Sequence, residues 1–283
     1  MIIFAVVLYG IHPSASRTLQ TLISSLKRAT TGIGWNVLVL DNSAEAPSLA
    51  SAESQEYQYH HFPENAGLAK TYNSALACCH DRGAKYLVTL DQDSTVTVAY
   101  LDALFGNLES LHGEVVALCP TVRSSGRIVS PFSLNLIGFP TYGATDRPLY
   151  AINSMSCYSV AYLESVGGFS DFYWLDGLDL VTFARIARDG NKVLLLDVEV
   201  SHQLSLAERI VSPQRFLNIL YYEACYLFEN ESPLRWIGGM TRLTGRAILA
   251  KRYGVPVRHT PAALGKIVSG IAKGIRRRLE FKS

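Results

Sequence analysis

The chain has 283 residues, of which 48% are hydrophobic and 10% aromatic, and this composition excludes an intrinsically disordered protein. The net charge of +2 hides an asymmetry. Residues 241–283 contain eleven basic residues and one acidic residue, whereas the other 240 residues contain 15 basic and 23 acidic ones. A basic C-terminal region on an acidic body favours contact with an anionic surface.

Strands and amphipathic helices alternate through the first half of the chain. Hydrophobic periodicity predicts strands over 2–9, 35–40, 58–62, 86–90 and 115–119, and helices over 16–29, 67–80 and 101–111. Such alternation predicts an α/β fold with a mostly parallel central sheet and helices on both faces. Ligands bind such sheets beyond the carboxyl ends of the strands, where Tyr9, Asp41 and the Asp91/Asp93 pair lie.

The second half begins with a segment, 121–150, that has no sustained period and is typical of a binding loop or lid. Helices over 160–168 and 176–189 and a strand over 192–200 follow, and the pattern is helical from residue 205 onward. We therefore expect a first domain over 1–204 and a C-terminal helical region over 205–283.

The cysteines and the N-terminus indicate the compartment. The five cysteines are odd in number and lack the paired spacing of a metal site, which favours buried reduced thiols and a reducing cytoplasm. Residues 1–9 are apolar but lack a charged leader and are too short to span a bilayer. We expect them to form the first core strand.

Two carboxylates follow the strand predicted over 86–90. Asp91 and Asp93, with Gln92 between them, point the same way if the backbone is extended. Two hard oxygen ligands at the end of a strand suit Mg²⁺ or Mn²⁺ that carries a phosphate. A solvated turn would show the same residues.

Polar residues also follow two earlier strands. Asn65, Gly67 and Lys70 surround the predicted start of a helix, where backbone N–H groups favour an anion such as a diphosphate. An ordinary capped helix has the same pattern. Asp41 is placed to accept a hydrogen bond from a base N–H, although an Asx turn or a helix N-cap is the commoner use of such a residue.

A third polar group lies between residues 172 and 202. Asp176 and Asp179 share one face if a helix begins there, and Asp176 as a simple N-cap is the alternative. Trp174 offers a flat surface of the kind that stacks on sugars, although aromatic side chains more often pack in a core. His202 is more often a structural histidine than a ligand when it is considered alone.

Taken in order, these motifs resemble the family-2 inverting glycosyltransferases, which have the GT-A fold. The resemblance covers about residues 1–204 and includes Asn153–Ser156 and the Gly-Gly-Phe at 167–169. The segments 7–10 and 91–94 are most similar to bacterial rhamnosyltransferases. In place of the family's usual glycine after Asn-Ser, this chain has Met155.

The resemblance implies roles for individual residues. Asp41 is expected to contact the pyrimidine base, and Asp91 the ribose or the metal. Asp93 is expected to bind Mg²⁺ or Mn²⁺ directly, with His202 as a candidate further ligand. Asp176 or Asp179 is expected to be the general base. The further donor-binding candidates are Tyr9, Asn65, Gly67, Lys70, Gln92 and Trp174.

The implied reaction is sugar transfer, with rhamnose from dTDP-rhamnose as the expected donor and a UDP-sugar as the alternative. The expected acceptor is a hydroxyl of a glycan or lipid-linked glycan in the biosynthesis of a surface polysaccharide such as O-antigen. Two other classes remain. A haloacid-dehalogenase phosphatase would use Asp91 as a nucleophile, but about 90 residues precede the motif and the late Gly-Asp motif is missing. The second remaining class is a non-catalytic sugar-binding protein.

The basic tail is amphipathic. Apolar residues recur at helical spacing between 264 and 279 and basic residues occupy other faces, which predicts a helix lying on an anionic membrane. Gly265, Gly270 and Gly274 lower helix propensity and favour ordering upon binding. A helix docked on the body, or one that forms a homo-oligomer, is the alternative. Nucleic acid is not expected, because stacking aromatics do not interleave the basic residues. The expected location is the inner face of the bacterial cell membrane.

Overall fold

Residues 1–29, 32–48, 56–143, 148–201 and 212–280 are described by a computed structural model of the chain. The strands are, in chain order, β1 Ile2–Leu8, β2 Trp35–Asp41, β3 Gln58–His61, β4 Tyr86–Asp91, β5 Val115–Ser124, β6 Arg127–Ser130, β7 Phe132–Leu134, β8 Pro140–Tyr142, β9 Ser156–Ser159 and β10 Lys192–Ser201. The α-helices are α1 Arg17–Leu26, α2 Gly67–Asp81, α3 Val98–Asn107, α4 Val160–Ser165, α5 Leu178–Arg188, α6 Pro213–Asn230, α7 Pro233–Ile248 and α8 Thr260–Glu280.

The central sheet has the order β10-β5-β9-β4-β1-β2-β3, with β6 paired to β5. The pairs β1–β2, β1–β4, β2–β3 and β5–β10 are parallel. Strand β9 lies antiparallel between β4 and β5. The predicted α/β fold with a mostly parallel sheet is confirmed, and β6 and β9 are the strands of this sheet that the periodicity did not reveal.

The sheet separates two apolar cores. Side chains alternate along β1, so that Ile3, Ala5 and Val7 face one core with α2, while Ile2 and Phe4 face the other with α1 and α3. All seven residues of β1 are buried. Burial on both faces explains why this strand is a continuous apolar run, as predicted.

The last three helices form a third apolar cluster. Helix α8 packs along α6, and α7 packs against both. Gly270 and Gly274 of α8 lie directly on the backbone of α6: a Cβ at these positions would be 2.3 Å from the carbonyl oxygen of Tyr221 and 2.4 Å from that of Cys225. The two glycines therefore permit close helix packing, whereas the sequence interpretation had linked them to ordering upon binding.

Several elements differ from the predictions, two of them for local reasons. The helix expected at 101 begins at Val98 because Thr97 caps it, its side chain accepting a hydrogen bond from the N–H of Tyr100. The helix expected at Asp176 begins at Leu178, because Gly177 before it has φ 81°. The segment 121–150, expected to be a loop or lid, contains β6 and the small two-stranded sheet of β7 and β8.

The five cysteines carry free thiols, as expected, and four of them are buried. Within the described ranges, no helix is both long and apolar enough to cross a bilayer.

Candidate active site

A cleft of about 960 Å³ opens beyond the carboxyl ends of β1 and β4. The lining comes from the ends of these two strands, the start of α2, the β7–β8 sheet, the segment before α5, and helices α6 and α7. The predicted residues that line this cleft are Tyr9, Asn65, Gly67, Asp91, Gln92, Asp93, Trp174, Asp176 and Asp179. Asp41 and Lys70 lie outside the lining, and His202 lies outside the described residues.

The turn that carries Asp91 and Asp93 is held by residues distant in the chain. The hydroxyl of Thr18 in α1 donates to the carbonyl oxygen of Asp91, and the N–H of Ser94 donates to the same hydroxyl oxygen at 2.8 Å. The N–H of Asp91 donates to Ser154 Oγ at 3.1 Å. Sequence reasoning did not identify Thr18, because no local pattern connects it to a turn more than 70 residues away.

Gln92 and Tyr72 complete this corner of the cleft. The N–H of Tyr9 donates to Gln92 Oε1 at 2.8 Å, which ties the end of β1 to the turn. The buried hydroxyl of Tyr72 donates to Asp91 Oδ1 at 3.5 Å. Burial and the Asp91 charge raise the pKa of Tyr72 well above its usual range, so that Tyr72 stays a neutral donor.

The chemistry of the donor set fits a divalent cation shared with a phosphate. Asp91 and Asp93 supply carboxylate oxygens, and the described ranges contain no group of three or more His, Cys, Asp and Glu side chains that could hold a metal. Magnesium is commonly bound by one or two carboxylates together with substrate phosphates. Asp91 and Asp93 thus suit an ion that is shared with a diphosphate.

The start of α2 differs from the open anion site expected there. Asn42 Oδ1 accepts from the N–H of Ala66 at 3.1 Å, and Asn65 Oδ1 accepts from that of Gly67 at 3.3 Å. The indole of Trp174 lies on Gly67, where a Cβ would be 2.3 Å from the indole nitrogen. Protein groups therefore occupy these amides, and Gly67 is needed for the approach of the tryptophan.

Asp41 is buried beneath the cleft. Its Oδ2 accepts from the hydroxyl of Tyr59 at 2.6 Å, and its Oδ1 accepts from the N–H of Ser43 at 2.8 Å, which is an Asx turn. Each carboxylate oxygen has a second lone pair. A base N–H would therefore have to share an oxygen that is already bonded.

Asp176 and Asp179 have different local settings. Asp176 precedes Gly177, the residue that caps α5, and its Oδ1 lies 3.8 Å from Arg215 Nε. Asp179 lies in the first turn of α5 and accepts from the N–H of Leu180 at 2.9 Å. Burial raises the pKa of each carboxyl to about 6, and the Glu223 charge adds to both shifts. Carboxyls with such a pKa are suited to proton transfer near neutral pH.

The wall from α6 and α7 was not predicted to belong to the site. Arg215 and Glu223 of α6 and Arg242 and Arg246 of α7 line the cleft. Arg246 Nη1 lies 2.6 Å from Glu223 Oε1. The sequence pattern assigned these helices to a separate region. Their cleft-facing polar residues are isolated positions that form no recognisable motif.

Met155 occupies the position at which the resemblance leads one to expect glycine. Its φ is 67°, its side chain is fully buried, and its N–H donates to the carbonyl oxygen of Thr89 at 2.8 Å. Left-handed backbone favours glycine, which explains the family's preference there. Burial of the apolar methionine side chain is favourable and acts against the strain.

The chain is similar to known proteins in family and in structure. The family model described as glycosyl transferase family 2 matches residues 14–160, more than half of the chain. No curated protein matches the sequence significantly. The S. aureus TarS 1–349 structure in complex with UDP has a TM-score of 0.59 at 14% identity, covering 97% of this chain and 88% of that one.

Two further structures show the same architecture. TarS 1–349 in complex with UDP-GlcNAc has a TM-score of 0.53 at 13% identity, covering 99% of this chain and 91% of that one. GalNAc-T7 with UDP, GalNAc and Mn²⁺ has a TM-score of 0.58 at 10% identity, covering 99% of this chain and 56% of that one. These likenesses concern the fold, and the fold is the expected GT-A architecture.

Proposed function

The chain belongs to glycosyl transferase family 2, and from this premise we propose that it is an inverting, metal-assisted transferase that uses a nucleotide-sugar donor. The proposed donor is dTDP-rhamnose, and the proposed acceptor is a hydroxyl of a lipid-linked or surface glycan. The observation that carries the proposal is that Asp91 and Asp93 share one cleft with Asp176. The family does not favour the phosphatase alternative, in which Asp91 would be a nucleophile.

The ligands printed for the structural neighbours support the donor class. TarS is described with UDP and with UDP-GlcNAc, and GalNAc-T7 with UDP, GalNAc and Mn²⁺. A nucleoside diphosphate and a divalent cation are thus compatible with this architecture. For this chain, we assign the cation to Asp91 and Asp93, with Gln92, Tyr9 and Trp174 around the donor.

The proposed reaction is a single in-line displacement. Asp176 accepts the proton of the acceptor hydroxyl, whose oxygen forms a bond to the anomeric carbon on the face opposite the diphosphate. The bond from that carbon to the diphosphate oxygen breaks, and the nucleoside diphosphate leaves with the electron pair. A cation held by Asp91 and Asp93 would supply electrostatic stabilisation of that anion. Thr18 and Ser154 hold the turn in place for this contact.

A thermal-shift panel tests the donor assignment. The protein is heated with UDP, dTDP or GDP, each with and without Mn²⁺. We expect the largest increase in Tm from dTDP with Mn²⁺, its loss in Asp93→Asn, and its retention in the exposed control Asp102→Asn. A larger shift with UDP would instead indicate another sugar, and the lack of any nucleotide-dependent shift would contradict the proposal.

A second measurement separates an enzyme from a non-catalytic sugar-binding protein. The enzyme should release dTDP from dTDP-rhamnose in the presence of Mn²⁺, because water can replace a missing acceptor at a slow rate. Binding of the donor without hydrolysis or transfer would support the non-catalytic class.

We also propose that the protein binds the inner face of the membrane through α8. The outward face of this helix exposes Leu264, Val268, Ile275 and Leu279, with Arg276 beside them. Apolar side chains flanked by basic ones suit the surface of an anionic bilayer. The opposite face of α8, which includes Ile267 and Gly270, is buried against α6, so the body of the protein would be carried with the helix.

A further inference from the structure

One wall of the cleft is basic, and the proposed reaction does not account for it. Arg215, Arg242 and Arg246 of α6 and α7 line this wall, with Glu223 as the acidic residue of α6 among them. Arg246 is paired with Glu223, and Arg215 Nε lies near Asp176. Arg242 has no carboxylate ion pair within the described ranges.

Arg242 is held in a fixed position. Its Nη1 donates to the carbonyl oxygen of Gly138, in the turn between β7 and β8. That turn is tied to α7, since the N–H of Gly238 donates to the carbonyl oxygen of Ile137 at 2.9 Å. A Cβ at Gly238 would be 2.5 Å from the same oxygen, so the contact is close. The guanidinium is therefore preorganised at the cleft wall.

Arg242 is also partly desolvated. Burial lowers the pKa of its guanidinium, which means that the charged form is less well solvated here than in water. A carbonyl oxygen is a neutral partner and does not balance the charge. A partly buried cation without a direct counterion is stabilised when an anion binds to it.

The segment before α5 connects the start of α2 to the helix that carries part of the basic wall. The indole of Trp174 lies on Gly67 at the start of α2. Two residues later in the chain, Asp176 Oδ1 lies 3.8 Å from Arg215 Nε of α6. Glu223 of the same helix lies 2.6 Å from Arg246 of α7, and Arg242 lies one turn before Arg246 on that helix. An acceptor whose hydroxyl reaches Asp176 therefore lies beside the arginine wall.

From this arrangement we propose that Arg242 and Arg246 bind a phosphate group of the acceptor. This inference rests on the proposed function, because it takes the Asp91 corner as the donor side. The planar guanidinium presents paired N–H donors that match phosphate oxygens. The acceptor class would then be a sugar attached to a phosphodiester or diphosphate, with its reacting hydroxyl near Asp176.

Inorganic pyrophosphate is a suitable probe, because it carries the proposed group without the rest of the acceptor. We would titrate pyrophosphate into the protein by calorimetry, first in EDTA without nucleotide and then with saturating dTDP and Mg²⁺ in both cell and syringe. We expect pyrophosphate to bind while dTDP occupies the donor corner. In Arg242→Gln, its affinity should fall roughly 10- to 100-fold, as for loss of a charge-assisted hydrogen bond. The exposed control Arg252→Gln should bind like the wild type.

The variants separate an anion site from a structural role. Arg242→Lys keeps the charge and should retain part of the affinity, and the Tm of each variant reports whether it folds. Complete competition between pyrophosphate and dTDP would overturn the inference, since both would then bind the donor corner. Unchanged affinity in Arg242→Gln would overturn it as well. Tighter binding of glucuronate than of pyrophosphate would overturn the inference in favour of a carboxylate ligand.

Failure of the proposed function gives a different result. In that case no nucleotide would bind to the wild type, whereas pyrophosphate binding that depends on Arg242 would persist. That result would support an anion site at Arg242 but would contradict its assignment to an acceptor.

Discussion

Asp176 and Asp179 differ in what their carboxylates contact. Asp176 lies outside α5, faces Arg215 at 3.8 Å, and has a side chain that is 13% exposed. Asp179 bonds to the N–H of Leu180 in its own helix, which holds one of its oxygens. A general base needs an oxygen free to reach the acceptor hydroxyl. The geometry favours Asp176, and the sequence alone had left both residues open.

We predict different kinetic effects for the two aspartates. Asp176→Asn should lower kcat by about 10²–10⁴-fold, the usual contribution of a positioned base, with little change in donor binding. Asp179→Asn should lower kcat less. Single-turnover rates at saturating donor check this, with Asp102→Asn as the control. A larger loss in Asp179→Asn would assign the base to that residue.

The raised pKa values predict how pH affects activity and stability. With a pKa of about 6, Asp176 must lose its proton before it can act as a base, so kcat/KM should rise as pH increases through about 6. The free energy of unfolding changes in the opposite direction as pH rises. A carboxyl whose folded-state pKa exceeds its unfolded value contributes stability at low pH, and this contribution is lost as pH rises through about 6.

Variants that replace one of these aspartates by asparagine should therefore gain stability relative to the wild type as pH rises. A shift of about two pKa units corresponds to roughly 3 kcal/mol at most, because one unit is about 1.4 kcal/mol. We expect Asp179→Asn to have a higher Tm than the wild type at pH 7.5 in EDTA, and a smaller advantage at pH 4.5. An equal difference at both values would contradict the pKa shift.

At the scale of elements, α8 is part of the folded body. Beyond its glycine contacts with α6, Arg277 Nε lies 2.9 Å from the buried Glu229 Oε2, and Glu229 Oε2 accepts from the hydroxyl of Tyr173 at 2.7 Å. Tyr173 immediately precedes Trp174 of the cleft. Removing the tail would therefore leave a buried carboxylate without its cation and disturb the segment before α5. Point substitutions are the better test of this helix.

Two glycines of α8 provide a matched pair of substitutions. Gly274→Ala should destabilise the protein by about 1–3 kcal/mol, because its Cβ would meet the α6 backbone. Gly265→Ala should stabilise it by up to about 1 kcal/mol, because nothing lies within 4 Å and alanine favours helix. Urea unfolding measures both. Stabilisation by both substitutions would mean that α8 is not docked.

At the scale of the whole molecule, the exposed large hydrophobic residues are concentrated in one stretch of the chain. Nine of the fourteen exposed large hydrophobic residues of the described ranges lie between residues 234 and 279. The exposed basic residues Lys251, Arg252, Arg258 and Arg276 belong to the same stretch of chain. Scattered apolar residues need no explanation, but a concentration beside basic charge is typical of a membrane-binding surface.

We predict that this surface binds anionic vesicles. Replacing Val268 and Leu279 with serine should weaken binding to phosphatidylglycerol vesicles, measured by sedimentation, roughly 30- to 1,000-fold, because two apolar side chains of about 1–2 kcal/mol each no longer enter the bilayer. The control Val268→Leu with Leu279→Met keeps the apolar character and should bind like the wild type. High salt should weaken binding in both. Equal sedimentation of the serine variant and the control would contradict membrane contact through α8.

The sequence by itself determined the elements whose pattern is local and long. The apolar run of β1, the strand ending at Asp91 and the alternation of strands with helices specify a parallel sheet, and the carboxyl ends of its strands indicate where polar residues gather. Strand β9 was not predicted, because its antiparallel place between β4 and β5 depends on pairings distant in the chain.

The features of the site also divide into those that the sequence predicted and those that only the tertiary structure decided. That Asp91, Asp93 and Asp176 line one cleft was predictable from strand ends and motif order. The bonds of Thr18 and Ser154 to the Asp91 turn, the occupied amides at Gly67 and the basic wall of Arg242 were decided by tertiary structure alone. Each depends on the approach of segments that are distant in the chain. Such contacts are specified by the packing of the whole core, and no periodicity or spacing within one segment records them.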